Sequence, residues 1–235
     1  MKKGYLKLAI MLPILILFYA FFIVFPQFNS RIGLMIYTIV MAFFVYFFIG
    51  YENNKEQYLK NTMLTILAYA AAYFIIIYLI GLAVGFVANT NSLKVLDIIK
   101  NIIPIVLIIG ASELSRFVIT KKGLKFKSIY WLAFVLFVII DVLIDVNTQT
   151  FIDMQKVWEF IIKDILPSIS KNFLFFYITS QVGFKPVVVY SFIFDLTDYI
   201  LPIFPDINEY LQAGIAMVAP VILYFIIHAE VHKKI

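Results

Sequence analysis

Eight apolar runs dominate this chain, at residues 8–25, 32–51, 62–88, 102–119, 128–146, 157–182, 187–204 and 210–229. A helix needs roughly 20 apolar residues to cross the hydrocarbon core of a bilayer. No water is available there for backbone N–H and C=O groups, so every run is expected to be helical. Composition agrees. Of 235 residues, 63% are hydrophobic and only 14% are charged, whereas soluble domains carry about 25% charged residues. The expected fold is an all-α polytopic transmembrane bundle, one integral membrane domain over residues 1–235. The short connections at 27–31, 52–61 and 183–186 leave no room for a soluble domain. The lipid bilayer is its first partner. Without cysteine, disulfides, thiolate catalysis and cysteine metal sites are excluded. A net charge of +5 does not point to nucleic acid, because in such a chain the excess of Lys and Arg gathers in cytoplasmic loops.

That bias orients the bundle. With eight spans and a cytoplasmic N-terminus, the inner side holds Lys2, Lys3, Lys7, Lys55, Lys60, Arg116, Lys121, Lys122, Lys125, Lys127, Lys185, Lys233 and Lys234. The outer side holds Arg31, Lys94, Lys100 and Lys156. Dropping one span would move Lys233 and Lys234 outside, so the asymmetry favours eight. The sixth run is the least apolar, with Glu159, Lys163, Asp164, Pro167 and Lys171. A seven-span alternative lays residues 157–166 along the interface as an amphipathic helix. Lys2, Lys3 and Lys7 precede the first run, but no small-residue cleavage site follows it, so it is read as a retained span.

Charges at membrane depth cost about 2.5–3.5 kcal/mol each on insertion scales and mark candidate sites. Glu113 and Arg116 are three residues apart, on one helix face, where they can pair. Asp141 and Asp145 share a face of the fifth run. The stretch 166–210 is the most polar of the embedded regions, with Ser168, Ser170, Asn172, Tyr177, Thr179, Tyr190, Ser191, Asp195, Thr197 and Asp198, and with Pro167, Pro186, Pro202 and Pro205 as interruptions. The candidate polar interior is Glu113, Arg116, Asn172, Tyr190 and Asp195. Interhelical hydrogen bonding is the competing reading for several of these side chains. "GLAVG" (81–85) is a small-xxx-small pattern that predicts close helix packing, within the bundle or in a dimer. "HAEVH" (228–232) lacks the Glu position and third ligand of a zinc protease, so it reads as a polar helix end. No phosphate-cradling glycine loop and no nucleophile elbow are present. No metal site and no cofactor are expected.

Two resemblances add to this reading. "SELSR", the Lys-Lys-Gly loop after it, a span carrying Asp141, and "FYITSQVGFKPVVVYSFIFD" resemble the core of the CPBP/CAAX-type intramembrane glutamate proteases. That resemblance implies an acid that activates water and imidazoles on two later spans that stabilise an oxyanion. Here the acid pair is Ser112-Glu113, and Asp141 and Tyr190 fall about where the family has His. Glu113 and Asp141 are therefore the catalytic candidates, but an embedded His is missing.

More of the chain is similar to the multi-span membrane region of signal peptidase I-like proteins of low-GC Gram-positive bacteria. "FFIGYENNKEQYLKNTMLTILAY", "ASELSRFVI", "LPSISKNFLFFYITSQVGFKP" and "YILPIFPDINEYL" carry this likeness. It implies a bacterial plasma-membrane location and an extracytoplasmic Ser/Lys peptidase domain after the membrane region. No Ser-x-Met motif occurs here, so either a peptidase domain lies elsewhere or the membrane region acts alone. The expectation is a non-catalytic membrane domain associated with signal-peptide or membrane-protein processing. Its partner is a membrane protein, a signal peptide or a separate peptidase domain. The alternatives are a CPBP-like intramembrane protease and an ion or small-solute transporter subunit, the last through Asp141 and Asp195.

Overall fold

A computed structural model describes residues 2–24, 31–50, 58–91, 94–145 and 153–233. The structure is helical nearly throughout. The helices are α1 (Lys2–Val24), α2 (Arg31–Ile49), α3 (Leu59–Val84), α4 (Val95–Gly123) and α5 (Lys127–Asp145). After these come α6 (Met154–Phe160), a π-helical segment (Ile161–Ile165) and α7 (Leu166–Gln181). The chain ends with α8 (Phe184–Asp195), α9 (Thr197–Ile200) and α10 (Glu209–His232). Among the described residues, α1, α2, α3, α4 and α10 are long and apolar enough to cross a membrane. This is the architecture of a multi-pass membrane protein. Most of the loop expected at 52–61 and the side chains of Asp145 and Asp198 lie outside what is described.

Two apolar cores meet along a seam. One is built from α1, α2, α4 and α5 with Phe176 of α7, and includes Leu12, Val45, Ile119 and Leu136. The other joins α3, α7, α8 and α10 through Ile66, Leu174, Val187 and Leu223. Packing of α4 against α7 and α8, and of α5 against α7, holds the two together. The broad contact of α2 on α4 and of α10 on α7 closes each core.

Three expectations change. The run at 62–88 does not stay helical to its end. Gly85, at φ +99°, takes a conformation that glycine adopts without steric cost, and Phe86–Ala88 becomes strand β1. Likewise the run at 187–204 breaks after α9. Pro202 biases Leu201 toward extended backbone, which it adopts at φ −78°, ψ 134°. Ile203–Pro205 then forms β2, antiparallel to β1 with Val87 opposite Phe204. Finally, within the bundle Gly81 of "GLAVG" packs against the returning chain and not a neighbouring helix. A Cβ on Gly81 would lie 2.4 Å from the Phe86 ring, so this glycine makes room for the chain's own return.

The polar sixth run is continuous from α6 through α7. Its π turn immediately precedes Pro167, whose ring would clash with the carbonyl of residue 163 in a regular helix. Widening the turn removes that clash and also presents Lys163 and Asp164 to a cavity. Asp153 and Asn208 cap the α6 and α10 N-termini by accepting from the backbone N–H two residues on, at 3.0 and 2.8 Å. Such caps satisfy donors that a helix start leaves open.

Candidate functional site

The site lies in the seam. Glu113 is ten residues from the end of α4, about 15 Å along the axis at 1.5 Å per residue. Arg116, one turn further on, donates to the Glu113 carboxylate from Nη1. Its Nη2 reaches Asp141 of α5 at 3.5 Å. The guanidinium lies between the rings of Phe137 and Phe175, 5.0 and 4.9 Å from their centroids. A desolvated cation between two aromatic faces gains about 2 kcal/mol or more. Asn172 of α7 donates from Nδ2 to Asp141 Oδ2 at 2.7 Å, and to the Ser168 carbonyl at 3.0 Å. Glu113, Arg116 and Asn172 are 6%, 2% and 0% exposed. One guanidinium therefore spans two carboxylates from different helices, and an amide from a third helix steadies the outer one. Buried Tyr19 of α1 sits within electrostatic range of Glu113, Arg116 and Asp141.

Asp141 also forms part of the wall of a cavity of about 480 Å³, a size that suits a small ligand or a few side chains. Lys163, Asp164, Ser168, Lys171, Tyr190 and Asp195 line the same cavity, with Tyr73, Phe194 and Pro220 among its apolar walls. Lys171 donates to both oxygens of Asp195, at 3.0 and 3.2 Å. At the rim, Lys163 donates to Glu209 at 2.6 Å. A second cavity of about 500 Å³ shares Tyr73 and Phe194 and is roofed by β1 and β2. Glu113 lines neither cavity.

The five polar-interior candidates thus divide between two places. Glu113, Arg116 and Asn172 join Asp141 in the buried network. Asp195 and Tyr190 stand on the cavity wall, where Tyr190 packs on Phe194 (4.4 Å between centroids) and edge-on to Phe175 (5.3 Å). Tyr190 is not in hydrogen-bond contact with Glu113 or Arg116. Ser168 and Asn172 occupy the third side of the Glu113–Arg116–Asp141 cluster instead. Sequence reasoning missed Lys171 as the partner of Asp195, and missed Tyr19. The polar pattern of Ser168, Lys171 and Asn172 within one turn was the available signal for the first; Tyr19, in an apolar run, gave none. Among the described residues no three His, Cys, Asp or Glu converge as a metal cage. At the other end of the bundle, Thr65 donates to Glu230 at 2.7 Å and His228 Nδ1 lies 3.1 Å from the Tyr177 hydroxyl. "HAEVH" is thus a tied-down helix end.

Fold and site define a class: a polytopic α-helical membrane protein with a charged cavity set into its bundle. Comparison of the chain with protein families, with curated proteins and with solved structures finds no match.

Proposed function

We propose that this chain is a non-catalytic, membrane-embedded binding domain that receives a polypeptide segment, of the signal-peptide or transmembrane kind, at the charged cavity. One observation carries the reading. Charged and hydroxyl side chains line a cavity within the bundle, while Glu113, the acid a hydrolase of the resembled kind would need, is held by Arg116 behind that wall. The chain's two histidines are residues 228 and 232, at the far end of α10. The test replaces Ala216, in the cavity wall, by a photo-crosslinking amino acid in native membranes. Discrete polypeptide adducts support the reading. Adducts to lipid alone overturn it.

A second reading, intramembrane hydrolysis, is favoured by the guanidinium that brings Asp141 alongside Glu113. It requires that purified protein cleave a membrane substrate and that Glu113→Gln abolish the cleavage. The same proposal includes eight spans, a cytoplasmic N-terminus and a bacterial plasma-membrane location. The unbroken course of α6, the π segment and α7 supports the eighth span. Because the chain lacks cysteine, single replacements report topology cleanly. Asp206→Cys should label from outside intact cells and Lys125→Cys only after lysis; the reverse would sink this orientation.

A further inference from the structure

One carboxylate in the charged cavity has no partner among the described residues. Asp141 accepts from Asn172 at 2.7 Å and meets Arg116 at 3.5 Å. Asp195 accepts from Lys171, and Lys163 is turned to Glu209 at the rim. Asp164 lines the same cavity, yet no described group donates to it. Its neighbour Lys163 lies within electrostatic range but is already engaged. The π turn at Ile161–Ile165 presents this carboxylate to the cavity, and such turns within α-helices are frequent at functional sites.

The surroundings are short of cations. Asp141, Asp164 and Asp195 line the cavity against Lys163 and Lys171. Neighbouring charges do not reverse this. Glu113 offsets Arg116 behind the wall, and Glu159 and Glu209 both stand beside Lys163. Tyr73, Tyr190 and Phe194 line the cavity too, with Phe194 5.1 Å from Tyr73 and 4.4 Å from Tyr190 between centroids. Aromatic rings attract cations, and Lys and Arg side chains lay their apolar stems on such surfaces while the charged head meets a polar group. A bare metal ion would need several converging oxygens. An alkylammonium or guanidinium needs one carboxylate and an apolar wall for its stem.

Resting on the polypeptide reading above, we propose that the cavity receives a Lys or Arg side chain of the bound segment. Its head pairs with Asp164, and its stem lies against Tyr73, Tyr190 and Phe194.

The test uses the full chain in nanodiscs, with the photo-crosslinking amino acid at Ala216, and two synthetic apolar peptides of about 20 residues. One peptide carries a single lysine in its outer third; its twin carries norleucine there. A hydrogen bond to a charged group is worth roughly tenfold or more in affinity, so at limiting concentration the lysine peptide should give about ten times the adduct of its twin. Asp164→Asn should lower the lysine peptide to the level of the twin and leave the twin unchanged. Asp164→Glu should keep a preference for lysine. Equal adducts from the two peptides, or a preference undiminished in Asp164→Asn, overturn the proposal and leave the polypeptide reading standing. Equal adducts together with a rise in Tm on adding free n-butylammonium would assign the cavity to a small amine instead. Adducts with neither peptide overturn the polypeptide reading, and this proposal with it. The peptide comparison needs no variant, so it decides the matter even where Asp164→Asn fails to fold.

Discussion

Arg116→Met isolates the central physical claim about the seam. The change keeps an unbranched apolar stem but removes the cation that Glu113 and Asp141 share. Glu113, 6% exposed, would then have no partner for either oxygen. Removing one member of a buried ion pair costs about 3–5 kcal/mol, because an uncompensated charge is left behind. Loss of the stack between Phe137 and Phe175 adds to the same side. For a chain of this size, 1 kcal/mol moves Tm by roughly 2–4 °C, so the expected fall is about 6–20 °C. Glu113→Gln is the informative contrast. It leaves Arg116 paired with Asp141, so no partnerless charge remains and its cost should be well below that of Arg116→Met. The double variant Glu113→Gln/Arg116→Met has the native net charge and should recover more than half of the loss. Unfolding in nanodiscs can be followed by the fluorescence of Trp131 and Trp158. If Arg116→Met lies within about 1 kcal/mol of the native chain, or if Glu113→Gln is as damaging, the charge argument for the seam is wrong.

Other consequences are local. Gly85→Ala forces a Cβ into left-handed backbone at φ +99° and should cost about 1–2 kcal/mol, read as a lower Tm with faster amide exchange in β1. Lys171→Met leaves Asp195 half-buried without its ammonium, so it should destabilise by about 1–3 kcal/mol, and Lys171→Met/Asp195→Asn should restore most of that in a double-mutant cycle. Glu209→Gln breaks a rim pair whose acid is 77% exposed; the change in Tm should be under about 2 °C and should vanish in 0.5 M salt. Thr65→Val leaves Glu230 without its hydroxyl donor and should loosen the contact between α3 and α10, seen as faster exchange at the ends of those helices.

How much of this was legible beforehand differs between parts, for physical reasons. Long apolar runs predict helices because lipid permits little else, and α1, α2, α3, α4 and α10 follow them closely. The rule weakens at the membrane boundary, where water returns and backbone groups can pair otherwise. There Gly85 and Pro202 outweigh hydropathy, and two apolar tails become β1 and β2. Within the site, Glu113 and Arg116 pair as their spacing predicts, since three residues on a helix is a local geometry. Asp195 with Lys171, and Asp141 with Asn172, join residues 24 and 31 positions apart. Nothing in local sequence selects such partners; the crossing of α5, α7 and α8 does. Tyr190 shows the limit of reading a role from order along the chain. Its place along the chain is about where the resembled family has His; α8 presents it to Phe194 and the cavity wall, and the nearer helix α7 supplies Asn172 to Asp141.

The two parts of the site constrain each other. Arg116 is fixed by rings from α5 and α7, which belong to the walls that shape the cavity. Phe175 also meets the Lys171 ammonium, 5.6 Å from its centroid, and the edge of Tyr190. A single ring therefore touches the buried guanidinium, the cavity cation and the cavity aromatic. Any movement of α7 that opens or closes the cavity must shift all three contacts together. A ligand that displaces Lys171 from Asp195 would thus be felt at Arg116 without touching it, through the face of Phe175. This coupling also predicts that Phe175→Leu, which keeps an apolar filler but loses both cation contacts, should weaken the ligand contact at Ala216, read as a lower yield of the polypeptide adduct.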